Sequence, residues 1–284
     1  MAFLFYMNKK YLFYVLFLSC NLAFAQGRSA FRLQEDTLRN LHQQILNDED
    51  DSLKQIMQSR FKTKLMTVLA QQESMNFPFD SLQSIAVLGA SDNSFRIFNW
   101  EIPYSDGSIA YEAIVQFYNP KKKQIDTVTL TDVSTLLKKP ENQSLDAKNW
   151  YGAHYYKLIE TVHKKKRTYT LLGANHSNPL LRKKLIDVIV IGKDGKLKFG
   201  ESIFMQQKAS SRRVIFYYSA EVSMSLRYDS ERKMILFDHL VPRSPELKGQ
   251  FEFYGPDMSI DGFLFKKGKW LYQDDVDARN EKRK

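Results

Sequence analysis

Cysteine is almost absent from this chain, because Cys20 is the only one among its 284 residues. A chain that loses Cys20 on processing has no disulfide bond, no thiolate nucleophile and no cysteine ligand for zinc. Such a chain must be held together by its core, and its 43% hydrophobic and 13% aromatic residues supply the apolar area for one.

Motifs of common catalytic and cofactor sites are also missing. The sequence contains no G-x-S-x-G, no H-E-x-x-H, no glycine loop for phosphate and no dinucleotide fingerprint. The acidic segment DDVD at 274–277 lacks the glycine and the closing glutamate of a calcium loop. We therefore predict no metal and no cofactor, and the sequence favours a non-catalytic protein over an enzyme.

Only one long apolar run occurs, at residues 11–22, and it is too short for a comfortable membrane span. Lys9 and Lys10 precede it, and AFA at 23–25 follows with small residues where a signal peptidase reads. This pattern predicts a signal peptide over 1–25 that is cleaved before Gln26. The mature chain would then be exported to the periplasm or cell surface without a transmembrane span. The alternative is lipidation at Cys20, which would anchor the protein to a membrane face.

The charge is strongly positive, with a formal value of +10 that becomes +8 when Lys9 and Lys10 leave with the signal peptide. Export excludes nucleic acid as a partner and leaves acidic glycans or anionic lipid headgroups. Lysines at turns also keep sheet edges soluble, and this is the interpretation that the sequence favours. The cations occur in short runs at 121–123, 138–139, 164–167, 182–184 and 266–267.

The region 26–76 has the pattern of two amphipathic helices with a break near 48–51. Ser52 with Gln55 fits a capping box at the start of the second helix. Apolar residues at helical spacing predict that both helices dock on the β region. The first stripe contains Leu38, Leu41 and Ile45, and the second contains Leu53, Ile56, Met57, Phe61, Leu65, Val68 and Leu69.

From residue 77 onward the apolar period becomes two, which predicts a β domain over 77–284. Short turn signals between the strands require antiparallel neighbours. The chain is therefore predicted to be mainly β, as a meander that curls into a barrel, a two-sheet or a propeller-like domain. The predicted strands are 84–89, 94–102, 109–118, 124–131, 151–162, 167–174, 184–191, 212–219, 222–229, 233–240, 260–266 and 269–273.

The densest aromatic segment, WYGAHYYKL at 150–158, supplies most of the ligand-binding candidates. Aromatic faces could stack on a sugar or lipid, but a packed core with a hydrogen-bonded histidine is the favoured interpretation. Two acids on a loop before the last hairpin could add polar contacts. The candidates are Trp150, Tyr151, His154, Tyr155, Asp257 and Asp261.

A turn at residues 231–232 would place Arg227 and Asp238 diagonally on one face, with Ser225 alongside. We therefore predict an ion pair between Arg227 and Asp238, with a structural role. The runner-up function is hydrolysis of an envelope glycan by paired carboxylates. Its acids would come from Asp187, Asp238, Asp257 and Asp261.

Several segments resemble a family of uncharacterised exported proteins of Bacteroidota, over about residues 75–280. They are NWYGAHYYK at 149–157, TYTLLG at 168–173, FDHL at 237–240, YGPD at 254–257 and GKW at 268–270. The resemblance implies export but no activity, ligand or catalytic residue. It also implies a bacterial group that O-glycosylates Asp-Ser/Thr-apolar tripeptides, which makes candidates of Thr37, Ser52, Ser81 and Thr127.

Taken together, these patterns predict an exported cell-envelope protein that serves as a non-catalytic binding or scaffold module. Its partner would be a glycan, a lipid or another protein of the envelope. The alternatives are the glycan hydrolase and a lipoprotein subunit of a surface complex anchored through Cys20.

Overall fold

The computed structural model describes residues 30–277. The predicted signal peptide over 1–25, its cleavage before Gln26 and the lipidation alternative at Cys20 lie outside these residues. Within them, no helix is both long and apolar enough to cross a membrane.

The two predicted helices are present, as α1 (30–47) and α2 (Asp51–Leu69), and the chain breaks between them as expected. The predicted capping box does not start α2. The side chain of Asp50 caps it instead, accepting hydrogen bonds from the backbone N–H groups of Ser52 (2.8 Å) and Leu53 (3.2 Å). A carboxylate at this position also faces the positive end of the helix dipole.

The buried face of α2 is rotated from the predicted stripe. Phe61, Leu65, Val68 and Leu69 are buried as expected, whereas Leu53 and Ile56 are 43% and 48% exposed. Lys54 and Gln58 are buried instead, because each has a hydrogen-bond partner in the β region. Lys54 Nζ donates to the carbonyl of Pro103 (2.6 Å), and Gln58 Oε1 accepts from Trp100 Nε1 (3.1 Å).

The β region contains all twelve predicted strands and four short ones that the sequence pattern missed. The missed strands are β5, β9, β10 and β11, of only two or three residues each. The strands are β1 (Ala86–Gly89), β2 (Phe95–Pro103), β3 (Ile109–Asn119), β4 (Gln124–Leu130), β5 (Leu145–Asp146), β6 (His154–His163), β7 (Lys166–Asn175), β8 (Leu181–Ile191), β9 (Leu197–Phe199), β10 (Phe204–Gln206), β11 (Ala209–Ser211), β12 (Val214–Ser219), β13 (Leu226–Asp229), β14 (Met234–Pro242), β15 (Tyr254–Lys266) and β16 (Lys269–Gln273).

These strands form three sheets rather than one closed barrel. Sheet one has the order β1-β2-β3-β4, and sheet two the order β5-β9-β8-β7-β6 with β12 also paired to β8. Sheet three has the order β11-β10-β16-β15-β14-β13. Neighbouring strands are antiparallel, as predicted, except for the parallel pair of β10 and β16. Stacked sheets are therefore the arrangement that the chain adopts.

Three apolar cores join these layers in sequence. The first lies between the helices and sheet one, where Phe61 and Leu65 pack with Trp100. The second joins the other face of sheet one to sheet two, and the third joins sheet two to sheet three around the fully buried Trp270. The alternation of each strand explains the stack, because successive side chains point into opposite cores.

Candidate functional site

The aromatic ligand candidates lie in the second core and are closed to ligands. Trp150, Tyr151 and Tyr155 are at most 2% exposed, and Trp150 Nε1 donates to the Tyr155 hydroxyl (3.1 Å). A β-bulge between Tyr155 and Lys157 breaks the predicted alternation, so Tyr155 and Leu158 point into the same core. The three aromatic side chains therefore belong to a packed core, which is the interpretation that the sequence favoured over a ligand site.

His154 lies at the start of β6, at the edge of this aromatic cluster. Burial lowers the pKa of its imidazole, while the nearby carboxylate of Glu101 opposes that effect. The predicted hydrogen bond of this histidine is not formed at Nδ1, which is buried and has no partner among residues 30–277. The neutral ring is therefore the form that fits this position.

Asp187 forms a fully buried ion pair with Arg213, which donates from Nε to the Asp187 carboxylate (3.0 Å). Burial raises the pKa of Asp187, and the Arg213 charge opposes that rise. Arg213 Nη1 also bonds the carbonyls of Pro140 and Gln143, which ties the loop between β4 and β5 to sheet two. Asp187 is thus a structural anchor without access for a substrate.

The predicted ion pair between Arg227 and Asp238 is not formed among the described residues. The strand register is the predicted one, with Arg227 opposite Leu236. The carboxylate of Asp238 instead accepts from the backbone N–H of Ser225 (2.7 Å). Ser225 lies just beyond the regular ladder, so its N–H is free to bind the carboxylate.

The two acids predicted on a loop both lie within β15, because this strand begins at Tyr254 rather than at residue 260, and Asp261 meets a histidine that the sequence pattern did not pair with it. Asp257 is exposed, and the hydrogen bond from Ser259 lowers the pKa of its carboxyl. Asp261 is 4% exposed and accepts from Tyr272 (2.6 Å) while bonding His239 Nδ1 (2.7 Å). The bond to Asp261 raises the pKa of His239, whose ring is partly exposed. The register of β14 and β15 is irregular next to His239, where three residues of β15, 257–259, lie opposite this one residue of β14.

The four glycosylation candidates lie in different settings. Thr37 and Ser52 are exposed on helices, and Thr37 Oγ1 bonds the carbonyl of Leu33 (2.9 Å). Ser81 is half-buried beside Arg32, and Thr127 lies within β4, paired with Gln116. Of the four, only Thr37 and Ser52 are exposed residues.

A different surface stands out once the strands are placed. The turns of five hairpins lie at the same end of the stack: 119–123, 163–167, 192–196, 230–233 and 266–269. We call this end the basic pole. Its cations are Lys121, Lys122, Lys123, Lys164, Lys165, Lys166, Arg167, Lys193, Lys196, Arg232, Lys233, Lys266, Lys267 and Lys269.

Close contacts hold turns from different sheets together at this pole. A Cβ on Gly195 would lie 2.7 Å from Asn119 Nδ2, so the turns of sheets one and two touch. A Cβ on Gly268 would lie 3.1 Å from His163 Cδ2, so the turns of sheets two and three touch as well. Lysine runs that are distant in sequence therefore form one surface.

The carboxylates near the pole neutralise only part of its charge. Ion pairs within residues 30–277 engage Lys122, Lys166, Arg167, Lys196 and Arg232. The other nine cations of the pole have no carboxylate partner in that part of the chain, and all nine are exposed. Since exposed charges of one sign add their potentials, this end of the molecule attracts anions.

Five of these lysines occupy backbone positions that lysine does not favour. Their φ angles lie between 48° and 64°, in the left-handed region that glycine and asparagine prefer. A residue with a Cβ costs about 1 kcal/mol or more at such a position. The five are Lys123, Lys164, Lys165, Lys233 and Lys267.

Comparison with known proteins adds no relative: no family model, no curated protein and no solved structure matches the chain. Among the described residues, no group of three or more histidine, cysteine or acidic side chains could hold a metal ion.

Proposed function

We propose that this protein is a non-catalytic binding module of the cell envelope and that its basic pole binds an acidic glycan. The observation that carries the proposal is that five of the six lysines with left-handed backbone among the described residues lie in turns at one end of the stack, while the sixth, Lys139, precedes the 3-10 turn Pro140–Asn142. Glycine or asparagine would suit the backbone better at each position. Backbone strain that recurs on one charged surface is typical of a functional site.

The breadth of the pole supports a polymeric ligand. Its turns come from all three sheets, and stacked sheets lie about 10 Å apart. The unpaired lysines are therefore spread over a broad surface rather than gathered in a pocket. A chain with repeated negative charges can contact several of them at once, whereas a small anion contacts one or two.

The side chains beside the pole favour a glycan over a lipid surface. The large apolar residues exposed near its turns are Tyr118 and Val162, whereas the others lie elsewhere on the described surface. The pole therefore has few apolar side chains that could insert into a bilayer. Its binding to anionic lipids would depend on charge alone, at about 1 kcal/mol per lysine. Vesicles that contain anionic lipid are therefore the second arm of the test.

The test uses a variant in which the five left-handed lysines are replaced by asparagine, which tolerates these φ angles. We expect its affinity for hexagalacturonate to fall at least tenfold in calorimetry at low salt. The matched control removes the same charge from exposed lysines outside the pole, and we expect less than a twofold change. The control variant carries asparagine at Lys139, which is also left-handed but lies outside the pole, and glutamine at Lys138, Lys148, Lys208 and Lys248.

Equal losses in the two variants would mean that net charge alone attracts the ligand, which would overturn the proposed site. Binding to anionic vesicles without binding to hexagalacturonate would overturn the glycan and favour the lipid.

The hydrolase remains a second candidate, supported by the contact between His239 and Asp261. A bonded carboxylate orients an imidazole for proton transfer. Release of shorter oligosaccharides from hexagalacturonate by the wild-type protein, lost in His239→Ala, would favour it.

A further inference from the structure

A groove opens beside the basic pole at the end of sheet one. It has a volume of about 530 Å³ and lies between the 3-10 turn Gln72–Asn76 and the turns after β1 and β3. Pro120 lines it and directly precedes the lysine run at 121–123, so the groove opens onto the pole. Ligand pockets are typically about 300–1,000 Å³ in size.

One wall of the groove is the ring of Tyr118, which is 44% exposed. Tyr118 is near the end of β3, on the face that the helices cover further along the strand. There Gln116 is fully buried, and its side chain donates to the carbonyl of Leu69, where α2 ends. The helical layer therefore stops just before Tyr118 and leaves its ring open.

Amide side chains line the groove with unused hydrogen-bonding groups. Those of Gln72, Asn76 and Asn93 are exposed and make no hydrogen bond within residues 30–277. Asn93 has a φ of 54°, a left-handed value that asparagine tolerates. An amide offers both donors and acceptors, which matches the hydroxyl groups of a sugar.

A fixed carboxylate completes the groove. Asp92 accepts from the backbone N–H of Ser94 (3.0 Å) and pairs with Arg167 Nη1 (3.4 Å). These contacts hold the pKa of Asp92 below its usual value, with Ser94 as the largest cause. The carboxylate is therefore a permanent acceptor, and Arg167 links it to the pole.

We infer that this groove is a saccharide subsite that holds one sugar ring of the acidic glycan proposed above, on which this inference rests. The apolar face of a pyranose ring packs on Tyr118, since an aromatic ring offers apolar area at low entropy cost. The ring hydroxyls bond the amides of Asn76 and Asn93 and the carboxylate of Asp92. The acid groups of neighbouring sugars then reach the lysines of the pole.

The test compares two anions of similar charge, of which only one has sugar rings. Hexagalacturonate carries six carboxylates on pyranose rings, and linear hexaphosphate carries its charge without rings. We expect Tyr118→Ala to weaken binding of hexagalacturonate about tenfold and to leave binding of hexaphosphate within twofold. Tyr118→Phe keeps the stacking surface and should bind both as the wild type does. Phe251→Ala removes an aromatic ring of similar exposure (42%) far from the groove and should change neither.

The outcomes separate this inference from the proposed function. Equal effects of Tyr118→Ala on both anions, or no effect on either, would overturn the subsite even if the pole binds. If the five-lysine variant binds hexagalacturonate normally while Tyr118→Ala does not, the subsite stands and the pole is wrong. A wild-type protein that binds neither anion would overturn both. Unchanged melting temperatures of the Tyr118 variants would show that the fold is intact.

Discussion

Gly268 lies against the imidazole of His163, which joins the turn between β15 and β16 to the turn between β6 and β7. The contact is tight, because a Cβ would lie 3.1 Å from His163 Cδ2 and the imidazole would have to shift by a few tenths of an ångström to accept it. It links the lysine runs of sheets two and three.

We predict that Gly268→Ala destabilises the protein by more than the backbone cost alone. Gly268 has a φ of +80°, and alanine there costs about 1 kcal/mol or more. Gly107 has the same φ and nothing within 4 Å of its Cβ position, so Gly107→Ala measures the backbone cost by itself. Urea unfolding should show a larger loss for Gly268→Ala. Replacing His163 by alanine in the same chain should remove the excess; an excess that persists would refute the contact.

Removing one member of the buried pair of Asp187 and Arg213 should destabilise the fold strongly. Replacing both members by apolar residues should destabilise it less. Asp187→Leu leaves the Arg213 charge buried without a carboxylate, which typically costs about 3–5 kcal/mol. The double variant Asp187→Leu, Arg213→Met removes both charges, and we expect it to recover part of that loss. Urea midpoints of the three proteins test this. A double variant less stable than Asp187→Leu would mean that the contacts of Arg213 with Pro140 and Gln143 dominate.

His42 should make the fold sensitive to acid. It is 1% exposed, its Nδ1 bonds Ser84 Oγ (2.7 Å), and burial lowers the pKa of its imidazole to about 4. Below pH 6.5 the unfolded chain gains a proton at His42 that the folded chain binds only near pH 4. Stability is therefore lost as the pH falls from 6.5 to 4, by about 3 kcal/mol at most.

The His42→Phe variant should lose this component of the pH dependence. Its free energy of unfolding relative to that of wild type, measured in urea, should increase as the pH is lowered from 7 to 4.5. Ser84→Ala keeps the titrating ring and should retain the wild-type slope. A constant difference between wild type and His42→Phe at every pH would rule out this role of His42.

Changes in the turn at Lys164 and Lys165 that make the protein more stable should weaken its binding of the glycan. Replacing the pair by asparagine and glycine suits the left-handed backbone. We expect the melting temperature to rise by about 2–4 °C for each kcal/mol gained, while affinity for hexagalacturonate falls. Lys121→Gln, at a turn position outside the left-handed region, should reduce affinity without the gain in stability. A double variant that is more stable and binds unchanged would exclude this turn from the site.

Much of the fold is readable from the sequence, because apolar period and turn residues are local signals. The missed strands β5, β9, β10 and β11 are too short to show a period. The rotation of α2 was hidden because Lys54 and Gln58 are buried only through partners on β2. Local alternation could not show these distant partners.

The sequence indicated only separate parts of the candidate site. The lysine runs were evident, and their places in hairpin turns were expected. Their convergence depends on how three sheets stack, which contacts such as that of Asn119 with Gly195 determine. The left-handed backbone of Lys123 or Lys233 has no signal in the residue type, since lysine predicts the opposite. The groove at Tyr118 depends on where the helical layer ends.

The position of β16 has a consequence for the order of folding. Within residues 30–277 it is the last strand in sequence, yet it lies inside sheet three, between β15 and β10, and carries the fully buried Trp270. β10 precedes it by more than sixty residues and must wait for it to form their parallel pair. Sheet three and its core can therefore close only after β16 has left the ribosome, so β10 stays without this partner until residues up to Gln273 have emerged.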